Sequence, residues 1–261
     1  MKKKLTRYLK IRTRNVTTKA LEHSIVTSKR AVYRAGSFTA TEDIFKGNTD
    51  NVIEINTVKA CKISNDKLEM KKAFEEYNKQ ANDILIPTAE WANGEDLKTW
   101  ETFPAIIKHV HSSGGKGIYY IKDEETLAEF ILNHKDLDRY IIERYYTYSK
   151  EYRVHVGKDG AFHAIRKMLK GDATERWHRH LAHCVAILPE NESFTAPHNW
   201  EAICDACTHA IAAVGLDLGA VDVKVQTTME NPKFIILETN SAPSLGELTL
   251  DKYKEQLIKF L

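Results

Sequence analysis

Residues 219–240 read GAVDVKVQTTMENPKFIILETN. Val221, Val223 and Val225 alternate with Asp222, Lys224 and Gln226. Strand side chains repeat every two residues, so one face of 219–226 is apolar and the other polar. Asn231-Pro232 marks a turn, and 233–239 returns as a second strand on which Glu238 and Asn240 share a face. With the hairpin centred on Glu230, Asp222 lies opposite Glu238, and cross-strand neighbours sit about 5 Å apart. Two carboxylates that close repel unless a cation lies between them. Asn240 adds a third hard oxygen, and such a set with open positions suits Mg2+. The competing reading is a solvent-facing polar edge on which Lys224 pairs with one acid.

Upstream, PAIIKH at 104–109 and IYYI at 118–121 read as strands joined by a glycine-rich stretch, SSGGKG at 112–117. Glycines let backbone N–H groups turn toward an anion and let a loop close over it. The stretch lacks the Gly-Lys-Ser/Thr entry into a helix that marks a Walker loop. A bare hairpin tip is the plain alternative. Lys108 at the base of the loop makes a phosphate lid the better reading. Asp123 caps a helix through about Asn133, 139–145 is a strand, and 151–156 and 161–167 flank the turn Lys158-Asp159-Gly160.

Further out, Asn65 is expected to cap a helix from Asp66 to Gln80, followed by a short apolar strand at Ile84-Leu85-Ile86. Helices are expected over 200–214, ended by Gly215, and over 250–260. Residues 24–38 and 52–55 read as short strands of a small N-terminal lobe. Hairpins with interspersed helices imply an α+β fold rather than a doubly wound parallel sheet.

The chain of 261 residues is long enough for several lobes. A formal net charge of +2 gives no global field that demands a nucleic-acid partner. The first fourteen residues are nevertheless rich in Lys and Arg (Lys2, Lys3, Lys4, Arg7, Lys10, Arg12, Arg14) with no acid. They are expected to form a solvated, partly frayed terminus, the alternative being an arm for phosphate or an acidic partner. No apolar run reaches membrane-spanning length, and no apolar stretch follows the basic start as in a secretory signal. Cys61, Cys184, Cys204 and Cys207 make no disulfide framework, so a reducing cytoplasm is expected. His178, His180, His183, Cys184, Cys204, Cys207 and His209 are types that bind zinc, but paired-ligand spacing is absent and Cys207 fits a buried helix stripe.

Taken in order, several segments resemble the ATP-grasp superfamily from about Asn51 to the C-terminus. NTVKACKISNDKL at 56–68 looks like its opening Asp-Lys helix and ILIPT at 84–88 like its Pro-marked strand. FPAIIK at 103–108 looks like its second lysine strand, and IIERY at 141–145 with Glu151 like its adenine hinge and ribose carboxylate. VDV at 221–223 and LETNSAPS at 237–244 look like its metal strands. Within the superfamily, EYRVHVGKDGAFHAIRKMLKGDATERWHR at 151–179 is most similar to the ribosomal-protein glutamate ligases. Arg176 stands where that group has Asn, His180-Leu181 replace glycines, and Ser244 replaces the Gly after Pro, so only the reaction class carries over.

The resemblance implies two lobes with mainly antiparallel sheets gripping ATP, after a short reduced N-terminal lobe. Its divisions would be 1–60, then 61–146 with the glycine-rich lid, then 147–261 with the metal site. Lys67 and Lys108 would bind phosphates beneath the lid residues Ser113, Gly114, Gly115 and Gly117. Glu143, Arg144 and Tyr146 would line the adenine hinge, and Glu151 would hold the ribose. Asp222, Glu238 and Asn240 would coordinate one or two Mg2+ ions, with Mn2+ as a substitute. Arg153, Lys167, Arg179 and Ser241 are candidates for the acyl phosphate or substrate. The implied activity is a ligase joining a small carboxylate to an amine acceptor (an amino acid, peptide or protein terminus). A kinase of the same fold acting on a hydroxyl compound, and a non-catalytic nucleotide- or nucleic-acid-binding module, are the competing readings. Asp222→Ala or Glu238→Ala is expected to abolish ATP turnover with the fold intact. No membrane partner is expected, and the oligomeric state is not legible.

Overall fold

The computed structural model describes residues 7–81, 83–174, 176–179, 183–227 and 231–261. Lys2, Lys3 and Lys4, the turn residue Glu230 and the pair His180-Leu181 lie outside the described residues.

Two antiparallel sheets face each other across the molecule. The larger has five strands in the order Cys184–Ile187, Gly160–Leu169, Lys150–Gly157, Gly219–Val225, Phe234–Asn240. The smaller has four, in the order Trp91–Asn93, Tyr140–Arg144, Ala105–His109, Ile118–Ile121. A parallel three-stranded sheet of Lys10–Arg12, Ala31–Arg34 and Ile53–Ile55 precedes them. The fold is thus α+β with mainly antiparallel sheets, as expected.

The apolar face of Gly219–Val225 explains the largest core. Val221, Val223 and Val225 pack with Tyr152 and Val154 against Ile203, Cys207 and Ile211 of the helix Trp200–Ala213. Met70 and Phe74 of the helix Lys67–Gln80 join the same core. That helix therefore packs on the five-stranded sheet and carries its N-terminus to the four-stranded one. The helix Glu247–Lys259, which starts three residues earlier than expected, sends Tyr253 and Leu257 into a second core with Leu9, Ile11 and Tyr33.

Several local expectations change. Asp66, not Asn65, caps the helix Lys67–Gln80, accepting from the N–H groups of Leu68 and Glu69. Asn65 ends a preceding helix, Val58–Asn65, which the sequence pattern did not suggest because its apolar stripe is short. Ile84–Ile86 is not a strand. The side-chain amide of Asn78 exchanges hydrogen bonds with the backbone of Ile86 in place of a neighbouring strand. Residues 7–12 are not frayed. Leu9 and Ile11 are buried, and the alternation turns Lys10 outward, 3.8 Å from the buried Glu22. Asn56, at φ +62°, bonds through its side chain to Arg34 and to the backbone of Asp217 and Leu218, tying the parallel sheet to the start of Gly219–Val225.

Candidate functional site

Asp222 and Glu238 are Cα partners, as the hairpin reading required. Beyond them the register slips: Val223 pairs with Ile236, leaving Leu237 as an extra residue. The bulge lets Leu237 and Glu238 both face the space between the two sheets. That space is a cleft of about 430 Å³, a volume that suits a small-molecule ligand.

Most of the residues singled out from sequence line this cleft: Lys67, Lys108, Ser113, Gly114, Gly115, Glu143, Arg144, Tyr146, Glu151, Arg153, Lys167, Arg179, Asp222, Glu238 and Asn240. Two do not. Gly117 closes the base of the loop at φ +62°, where a Cβ would press on His109. Ser241 is buried behind the wall, beside Gly36 of the N-terminal lobe. Among the described residues, eight Lys and Arg and four Asp and Glu line the cleft, an excess of positive charge that suits a polyphosphate.

On the five-stranded sheet, Arg153 is the register partner of Asp222 and donates to both its oxygens at 2.7 and 2.9 Å. Lys167 donates to Asp222 at 2.6 Å and to Glu151 at 2.9 Å. Burial pushes the Asp222 carboxyl up, but Arg153 and Lys167 override it and hold the group well below the usual carboxylate range. Lys224 does not pair with either acid, contrary to the polar-edge alternative. Its ammonium lies over the ring of Tyr145, 4.5 Å from the centroid, and burial, helped by Arg179 and Lys108, pulls it down to about 8.

On the facing sheet, Glu143 is buried between Lys108, which donates to it, and Lys71, 2.8 Å away. Burial raises this carboxyl, yet the two ammonium groups bring it down to about 2. Lys71 was not recognised from sequence. Its signal was its place one helical turn after Lys67, on the same face. Lys67 donates to the backbone carbonyl of Ser112, so the first residue of the helix Lys67–Gln80 holds the glycine loop, and burial lowers its ammonium. In the loop, Gly114 and Gly115 sit at φ +67° and +77°, a region that favours glycine. Arg144 stacks its guanidinium over Tyr146 at the opposite end of the cleft. Trp177, His178 and Arg179 cover that side, with Tyr145 donating to the carbonyl of Trp177 and Arg179 to that of Ser149.

Glu238 is half-buried and has no ion-pair partner among the described residues. It accepts a 3.3 Å hydrogen bond from Asn240. Its open oxygens beside Asn240 fit a hard cation. Asp222 spends three acceptor positions on Arg153 and Lys167, and a carboxylate has about four, so one remains there. Cys207 is fully buried in the core rather than placed as a ligand.

Residues 66–245 match the family described as the carbamoyl-phosphate synthase L chain, ATP binding domain. No curated protein matches the sequence. Among solved structures, the chain resembles a biotin carboxylase–β,γ-ATP complex from Campylobacter jejuni at TM-score 0.62 and 16% identity, covering 88% of this chain and 54% of that one. It resembles D-alanine–D-alanine ligase from Bacillus anthracis at TM-score 0.56 and 15% identity, covering 79% and 68%. It also resembles the ATP-grasp ligase PsnB, complexed with its minimal precursor, at TM-score 0.55 and 14% identity, covering 88% and 79%. The chain spans about half the length of the biotin carboxylase chain. At these identities the likenesses establish the fold.

Proposed function

Because this chain belongs to the carbamoyl-phosphate synthase L chain ATP-binding domain family, within the ATP-grasp superfamily, we propose that it is an ATP-dependent carboxylate–amine ligase. The observation that carries the reading is the cleft itself. Two antiparallel sheets present a surplus of ammonium and guanidinium groups around Glu238 and Asn240, beneath a glycine loop. The division 1–60, 61–146 and 147–261 belongs to this proposal, with the helix Lys67–Gln80 bridging the last two parts.

A carboxylate is a poor electrophile. In the proposed reaction a carboxylate oxygen attacks the γ-phosphorus and ADP leaves. An amine nitrogen then attacks the acyl carbon, phosphate leaves with the C–O bond electrons, and the amine gives up a proton. The protein's task is to bring anions together and cancel their charge. Lys67 and Lys108 neutralise phosphate oxygens. Glu143, backed by Lys71, fixes the position of Lys108. Arg153, Lys167 and Arg179 take the carboxylate and the developing acyl phosphate. Glu151 accepts from the ribose, and the Glu143–Tyr146 segment flanks the base. The glycine loop, tethered by Lys67, excludes water that would hydrolyse the intermediate. Glu238 and Asn240, with the remaining lone pair of Asp222, would hold Mg2+, which when bound neutralises phosphate charge.

A screen of ADP release against carboxylates paired with amino acids, peptides and amines, read out by product mass spectrometry, tests this. The expected product is an amide without phosphate, formed only with both substrates present. A phosphorylated product, or ADP release that needs no amine, would overturn the ligase reading.

A further inference from the structure

Among the described residues, Lys224 takes no part in the ion pairs of the cleft. It stands two residues beyond Asp222 on the same face of Gly219–Val225, in register with Glu151 on one side and Ile235 on the other. Its side chain is largely buried, and its ammonium opens onto the cleft, where among the described residues its contact is the ring face of Tyr145. Among the described residues it has no hydrogen-bond acceptor: Glu151, its register partner, bonds Lys167 and not Lys224, and Glu143 is held by Lys71 and Lys108. A ring face offsets only part of the desolvation of a buried ammonium, so such a group calls for an acceptor from a ligand.

The two sheets are polarised in the same sense. On Ala105–His109, Ile106 lies toward the Arg144–Tyr145 end and Lys108 toward the glycine loop. On the facing sheet, Ile235 is the register partner of Lys224, whose ammonium lies over Tyr145, whereas Asp222 and Glu238 lie farther along. The cleft thus has an end walled by Ile106, Ile235, Tyr145 and Trp177, with Arg144 and Arg179 at its margin, that suits a flat ring, and an ionic end for phosphates; Lys224 rises from the floor of the first. We propose that Lys224 reads the nucleobase, its ammonium donating a hydrogen bond to a ring-nitrogen or carbonyl acceptor of the base. This rests on the nucleotide-binding reading given above.

Calorimetric titration of the full chain and of Lys224→Met with Mg-ATP and with Mg-tripolyphosphate, which lacks a base, tests it. Methionine keeps an unbranched apolar stem. The expected result is a loss of about 10- to 100-fold in ATP affinity, the size of a charge-assisted hydrogen bond, with tripolyphosphate affinity unchanged. The free variant should melt at the same temperature or higher, because an unpaired buried charge is gone. Lys224→Gln, which retains a donor, should recover part of the ATP affinity. Equal losses for both ligands would make Lys224 a phosphate contact, and no loss for either would make it a bystander. Both results overturn the proposal. Failure of the unmodified chain to bind either ligand would instead remove the nucleotide reading on which it rests.

Discussion

Two buried carboxylates look into the cleft from opposite sheets, and each is held by two cations. Asp222 is held by Arg153 and Lys167, both from strands of its own sheet. Glu143 is held by Lys108 from a neighbouring strand and by Lys71 from a helix whose other side is buried against the five-stranded sheet. The first cluster is internal to one sheet. The second fastens one sheet to the other. Removing a member should therefore damage a sheet in one case and loosen the grip between the sheets in the other.

The largest effect is expected at Asp222. Asp222→Ala strands the Arg153 guanidinium in a buried site and leaves Lys167 with Glu151 alone, which costs about 3–5 kcal/mol in chemical denaturation. The sequence alone led to the expectation of lost ATP turnover with the fold intact; the ion pairs add a stability cost to it. A loss below about 1 kcal/mol would mean that both cations find solvent. Lys71→Met should cost less, about 2 kcal/mol, because Lys108 remains on Glu143. Its added signature is faster proteolysis between the sheets, and equal costs at both clusters would mean that the two carboxylates are held alike.

Acid sharpens the comparison. Glu143 titrates near 2 in the folded protein against an ordinary 4.5, so its contribution is complete above about 4.5 and is lost as pH falls toward 2. His155 is brought by burial, and by the nearby Arg153, from 6.5 to about 3, so it is neutral when folded and takes up a proton on unfolding. Stability should fall as pH drops from 6.5 to 3, by at most about 1.4 kcal/mol per pH unit for this group. Denaturation curves of His155→Gln should show a flatter slope in that window. In Lys71→Met the folded Glu143 carboxyl titrates higher, so its acid loss should still start near 4.5 but be smaller and finish at a higher pH. The smallest effect on stability, within about 0.5–1 kcal/mol, belongs to Glu238→Gln, because Glu238 is half-buried and supports no ion pair among the described residues.

The same contrast explains what could be read in the sequence. Arg153, Asp222 and Glu238 sit on strands whose alternation fixes both face and register, so the carboxylate pair followed from spacing. The bulge at Leu237 did not, because an extra residue leaves no mark in an alternation of Ile, Leu and Glu. Lys71 was missed because its partner lies 72 positions away across the cleft, and a lysine on a charged helix looks solvated until the packing of Met70 and Phe74 turns that face inward. The basic start looked frayed for the converse reason: the charges of Lys10 and Arg12 hid the buried alternation of Leu9 and Ile11.

The most direct measurement is titration of the chain and of Glu238→Ala with ATP, with and without Mg2+. The account predicts saturable, one-to-one, metal-dependent binding that weakens at least about 100-fold in the variant while its melting temperature stays put. No saturable binding by the unmodified chain, or binding indifferent to both the metal and Glu238, would contradict it.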